Sequence, residues 1–197
     1  MPRRSLVHEK RRALLPVVAR AFSELGYRRA TTAELARRCR VQENILYRLW
    51  PDKKAMFIAA IGHVYERAEH TWAELLEKGG AGSAAERVLE YEARHLGQFG
   101  HVRIIFAGLS ETDDPEIRRA LAAMYQRYQG FVSEQLAAHR AGGQKRPGTA
   151  ELAITAWAFI GLGTVASIAM ELDLLDARAR RRLLSGIGRL LLEDAPA

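Results

Sequence analysis

The stretch from Thr31 to Lys53 reads TTAELARRCRVQENILYRLWPDK. Thr31 and Glu34 have the spacing of a capping box, so a helix opens there and carries Leu35, Ala36 and Cys39 inward. A second runs from about Gln42 to Leu49, and Pro51-Asp52 ends it. Two helices of about eight residues, joined by a turn of three or four and packed through Leu35, Ala36, Val41 and Leu46, describe a helix-turn-helix. Ala36 falls where the helices cross and only a small side chain fits. Helices this short are not stable alone, so they must lean on their neighbours.

Those neighbours are legible. Upstream, a helix over roughly residues 8 to 25 places Leu14, Leu15, Val18, Ala21, Phe22 and Leu25 on one face and stops at Gly26. Pro16 inside it predicts a kink, or a regular part that begins only near Leu15. Downstream, a long helix from Lys53 to about Leu76 has the inward stripe Phe57, Ile61, Val64, Tyr65, Ala68, Trp72 and Leu75. A glycine-rich loop follows over residues 78 to 83. Further helices are predicted at about 84 to 98, 101 to 110, from Asp114-Pro115 to about Leu136, 149 to 170 and 176 to 193, with a loop from Ala141 to Gly148. No stretch alternates apolar and polar residues with β-branched enrichment as a strand would, so the chain reads as all-α.

Charge is distributed unevenly. Residues 1 to 54 hold 14 Lys or Arg against 5 Asp or Glu, whereas residues 55 to 197 hold 16 against 18. A basic segment on a nearly neutral body is the footprint of a polyanion partner. The single cysteine, Cys39, excludes an intrachain disulfide framework, and the charged N-terminus has no apolar run of export-signal length, so a cytoplasmic protein is expected. Leu152 to Met170 contains no charged residue, which raises a membrane span as a reading. Its Thr155, Gly161, Gly163, Thr164 and Ser167 fit a close helix interface better. The segment beside it sets Leu183, Leu184, Ile187, Leu190 and Leu191 opposite Arg180, Arg181, Arg182 and Arg189 and could complete that interface.

With Phe22, Gly26-Tyr27, Thr31-Thr32, Leu35-Ala36, Val41, Leu46-Tyr47 and Lys53 in place, residues 10 to 57 resemble the DNA-binding domain of the TetR family of repressors. The resemblance implies an N-terminal three-helix DNA-binding domain over residues 1 to 54 and a helical ligand-binding and dimerisation domain over residues 55 to 197. It further implies a homodimer on the double-stranded DNA of a palindromic operator, released by a small apolar or amphipathic ligand, with no cofactor. By position, Thr32, Tyr47 and Lys53 would contact phosphates, which fixes register without reading sequence. Glu43, Asn44 and Arg48 would face base edges, where Glu accepts from cytosine, Asn pairs with adenine and Arg with guanine. Ala33 could touch little more than a thymine methyl. Glu43 could equally serve only to charge the helix N-terminus, and Tyr47 could be a core tyrosine.

The sequence departs from the family pattern in places. Arg40 stands where the turn usually has glycine, implying either a non-glycine residue at positive φ or a different turn. Gln42 replaces a small hydroxyl residue before the recognition helix. Leu49 stands where a phosphate-contacting histidine is common, and Trp50 where phenylalanine is usual.

For ligand sensing, Phe99, Phe106, Met124, Tyr128 and Trp157 fall on helices that line the pocket in similar proteins, although aromatic stripes at helical spacing also build ordinary cores. The long helix beginning at Lys53 is the expected lever between the two functions. His63, His70, His95 and His101 lack metal-ligand spacing, and no nucleophile, paired-acid or phosphate-loop motif is visible, so an enzyme is not expected. The rivals are a helical small-molecule or lipid-binding protein, or an enzyme, of the same fold without DNA binding, and a bundle that binds only protein.

Overall fold

The computed structural model describes residues 2–96, 101–141 and 148–193. Among them are nine α-helices and no strand: α1 (Pro2–Arg29), α2 (Thr32–Cys39), α3 (Glu43–Leu49), α4 (Lys53–Glu77), α5 (Ala84–His95), α6 (His101–Leu109), α7 (Pro115–Arg140), α8 (Thr149–Glu171) and α9 (Ala177–Leu192). The all-α reading holds. The chain divides into two compact units, residues 1–68 with 100–124, and residues 69–99 with 125–197.

The first unit is built on α1. Its backbone leaves helical geometry at Gly26 (φ 74°, ψ 170°), where glycine carries no Cβ penalty, so the predicted stop is a sharp break before the short turn Tyr27 to Arg29. The helix starts earlier than expected, however, and continues through Pro16. Pro16 is exposed, so water can satisfy the carbonyl one turn back that loses its amide partner. Val18, Ala21 and Phe22 are fully buried, and Phe22 meets Phe57 edge-on with ring centroids 4.9 Å apart. Leu35, Leu46, Met56 and Ile61 complete the apolar centre with no exposed surface. Burying each such side chain is worth about 1.5 to 3 kcal/mol, which is what holds two helices too short to persist alone. In the same unit Ile104, Ile117, Leu121 and Met124 are buried, and Asp114 caps α7 by accepting from the amides of Glu116 and Ile117.

The second unit holds α5, α8, α9 and the later parts of α4 and α7. Leu89, Leu136, Ala156 and Leu192 form one buried cluster; Ala93, Ala166 and Leu184 form another. Gly188 lets α9 lie directly on α5, since a Cβ there would collide with Leu89. Ser83 and Glu86 form a complete capping box at the start of α5. Trp72 stacks on Phe131 at 4.5 Å and meets Tyr128 edge-on at 5.5 Å. Its indole N–H donates to Glu92 at 2.8 Å. Burial pushes the Glu92 carboxyl above its ordinary range.

One helix, α8, is long and apolar enough to cross a membrane, by length and composition. Ile154, Val165 and Ile168 form an exposed apolar stripe along it that continues to Leu172 at its end, and Ile187 and Leu190 are exposed on α9.

Candidate nucleic-acid interface

The helix-turn-helix is assembled by local hydrogen bonds that the residue types dictate. Thr31 caps α2 by accepting from the Glu34 amide at 3.2 Å. The reciprocal half of the expected box is replaced: the Glu34 carboxylate is taken by Arg37 at 2.7 Å and Arg38 at 2.8 Å. Hydrogen bonds from the two guanidiniums pull its pKa down to about 2. Arg38 also reaches Glu24 on α1, so the same cluster ties α2 to its support. Between the helices Arg40 adopts the left-handed conformation (φ 55°, ψ 41°), and Val41 N–H donates back to the Ala36 carbonyl at 3.0 Å. The turn keeps the form that glycine would give it, with arginine held at positive φ.

Helix α3 starts one residue later than predicted, with Gln42 as a cap residue whose side chain makes no capping bond. Leu46 and Leu49 are buried beneath it. Gln42, Glu43, Asn44, Tyr47 and Arg48 are exposed. Leu49, at the position of the common family histidine, therefore faces the core. Trp50 is buried, with the Arg11 guanidinium 5.6 Å from its ring centroid. Arg11 Nε also donates to the Leu49 carbonyl at 3.0 Å, so a cation sits at the negative end of α3.

Of the residues singled out from sequence, three converge. The Tyr47 hydroxyl donates to Thr32 Oγ1 at 3.2 Å, and the Thr32 hydroxyl donates to Glu43 Oε2 at 2.8 Å. Asn44 and Arg48 make no such contact among the described residues and project from the same short helix. Ala33 is exposed on α2. Lys53 at the start of α4 is partly buried: its ammonium donates to the Tyr27 carbonyl at 3.1 Å and lies 4.5 Å from the centroid of the Tyr27 ring. Its neighbour Lys54 instead pairs with Asp114 at 3.2 Å and Glu116 at 2.6 Å. Sequence reasoning missed the seats that Tyr27 and Arg11 provide. Tyr27 read only as part of a helix stop, and Arg11 only as one charge in a basic run.

Residues 15–60 match the model of the bacterial regulatory proteins of the tetR family. The match covers the helix-turn-helix and the helices that support it. The nucleoid occlusion factor SlmA of Haemophilus ducreyi (strain 35000HP / ATCC 700724) is 38% identical over 71 residues, 36% of this chain. That match spans 33% of the relative's length. A TetR-family transcriptional regulator from Agrobacterium tumefaciens superimposes with a TM-score of 0.72 at 17% identity, over 97% of this chain and 100% of that one. AibR, solved in complex with isovaleryl coenzyme A and operator DNA, gives 0.64 at 17% identity, over 93% of this chain and 98% of that one. The fold shared with these two structures extends over nearly the whole chain.

The residues considered for ligand sensing are dispersed. Phe99 lies outside the described residues. Phe106 and buried Met124 belong to the first unit. Tyr128 belongs to the second, in the aromatic cluster with Trp72 and Phe131. Trp157 is 49% exposed on α8, with its ring centroid 6.0 Å from that of Tyr125. Among the described residues, no group of three or more His, Cys, Asp or Glu could hold a metal.

Proposed function

We propose that the protein is a cytoplasmic, homodimeric transcription repressor that binds palindromic double-stranded DNA through α2 and α3 and leaves it when a small apolar or amphipathic molecule binds the helical body. The observation that carries this reading is the outer face of α3. Gln42, Asn44 and Arg48 stand exposed without partners among the described residues, at the start and along a helix anchored beneath by Leu46 and Leu49, in the segment that holds the chain's excess positive charge. A surface with donors and acceptors left open and a scaffold that fixes them suits base-edge recognition. Thr32, Tyr47 and Lys53 flank it as phosphate contacts, Glu43 faces bases at its N-terminal end, and Ala33 lies at its margin.

The dimer is supported by the exposed stripe of α8 and α9, whose apolar side chains would be covered by the same surface of a second copy. Ligand release fits a helical body that includes an aromatic cluster and a buried carboxyl; AibR, of similar fold, was solved with both a ligand and operator DNA. Regulation, not catalysis, is the role assigned to that body. Fluorescence anisotropy with labelled duplexes of random sequence across a salt series tests the DNA-binding claim. Affinity should fall linearly on a log-log plot with a slope set by the phosphates contacted, and absence of binding at low salt would remove the proposal.

A further inference from the structure

The chain of hydroxyls on the interface has a consequence for how sequence is read, given the DNA-binding role proposed above. A hydroxyl has one hydrogen to donate. Tyr47 spends its hydrogen on Thr32 at 3.2 Å, and Thr32 spends its hydrogen on the Glu43 carboxylate at 2.8 Å. A phosphate oxygen only accepts. As arranged, the Thr32 hydrogen is held by a carboxylate and kept from a phosphate, the Tyr47 hydrogen is directed at Thr32, and the chain ends in a negative charge that repels a phosphate. Thr32 is released to a phosphate when Glu43 takes a hydrogen-bond donor from elsewhere. The major groove offers that donor in the exocyclic amino group of cytosine, whereas thymine presents an acceptor oxygen at the corresponding place.

We propose that Glu43 is a specificity gate: it holds the Thr32 hydroxyl away from DNA phosphates until a cytosine amino group replaces Thr32 as its hydrogen-bond donor. Base identity and backbone anchoring are thereby coupled. On a wrong sequence the carboxylate stays on Thr32 and faces the phosphates; on the right one it turns to the base, and Thr32 and Tyr47 turn to the backbone. Discrimination at one base pair of each half-site then exceeds what a single base contact gives, because the wrong base forfeits the phosphate contacts too.

The test compares wild type, Glu43→Ala, Thr32→Val and the double variant on two labelled duplexes, one selected by the wild-type protein and one of scrambled sequence. Glu43 is exposed and Thr32 lies at a helix start, and circular dichroism verifies that each variant is folded. Glu43→Ala should bind the scrambled duplex about three- to tenfold more tightly, the scale of one exposed charge interaction, and lose the cytosine preference at one position per half-site while keeping the others. Thr32→Val should cost several-fold on the selected duplex and almost nothing on the scrambled one. In the Glu43→Ala background the same substitution should cost several-fold on both. An equal effect of Thr32→Val on scrambled DNA with and without Glu43 would overturn the gate, as would an unchanged base preference in Glu43→Ala. Failure of the wild-type protein to bind either duplex would instead overturn the DNA-binding role, and the gate with it.

Discussion

The Lys53 ammonium lies 4.5 Å from the centroid of the Tyr27 ring and donates to the Tyr27 backbone carbonyl at 3.1 Å. A lysine side chain normally gives up substantial rotamer freedom on binding a phosphate. Here much of that freedom is already lost, because the ring and the carbonyl of Tyr27, just past the break in α1, hold the charge at the start of α4. Lys53→Ala should weaken binding to every DNA sequence about equally and lower the salt slope by roughly one. Asn44→Ala should instead change the preferred base. Anisotropy on selected and random duplexes distinguishes the two; equal losses for Asn44→Ala would mean it does not read sequence.

Arg11 fixes the C-terminal end of α3. Its guanidinium meets the Leu49 carbonyl and the Trp50 ring, closing the C-terminus of α3 against α1. Charge-assisted hydrogen bonds at partly buried sites are worth about 1.5 to 3 kcal/mol, so Arg11→Ala should lower unfolding stability by about that amount, measured by urea denaturation. Arg11→Lys should recover only part, because lysine cannot present the planar fork.

Helix count, order and most boundaries were legible in the sequence because heptad-like apolar spacing, Gly26, Thr31 and Asp114-Pro115 each act locally. Arg40 was legible as a conflict, with its resolution undetermined: the backbone takes the left-handed turn at φ 55°. A non-glycine residue there costs about 1 to 2 kcal/mol, so Arg40→Gly should raise the melting temperature, and an unchanged or lower value would mean the arginine is unstrained. The partners of Tyr27, Arg11 and Thr32 were not legible. Each depends on residues 15, 26 or 38 positions apart, and nothing in local spacing says where a side chain that could reach several acceptors will settle.

Glu92 makes stability depend on pH. The residue keeps some exposed surface, but its carboxyl is enclosed by protein and meets the Trp72 indole; burial raises its proton affinity. The folded state therefore holds this proton more tightly than the unfolded state. The stability it contributes is complete below the unfolded pKa and is lost as pH rises through the folded one. Glu92→Gln, which retains an acceptor for Trp72 without a charge, should melt higher than wild type at pH 7, with the difference shrinking toward about pH 4. Calorimetry at both pH values measures it; a lower melting temperature at pH 7 would contradict the assignment.

The stripe on α8 gives a test of assembly. Val165 is 57% exposed and lies between Ile154 and Leu172, also exposed, on the face proposed to meet a second copy. Val165→Arg places a charge at its centre, where a buried unpaired cation is costly. Light scattering should show a dimer for wild type at micromolar concentration and a monomer for the variant, with weakened binding to two-half-site DNA. A monomeric wild type would refute the dimer.

The central claim is that α3 reads base sequence as one of a symmetric pair, and selection from a pool of random duplexes by the purified protein tests it most directly. The predicted result is an enriched inverted repeat whose half-sites are separated by about one helical turn, roughly 34 to 36 Å. A pool that remains random after repeated rounds at low salt would contradict it.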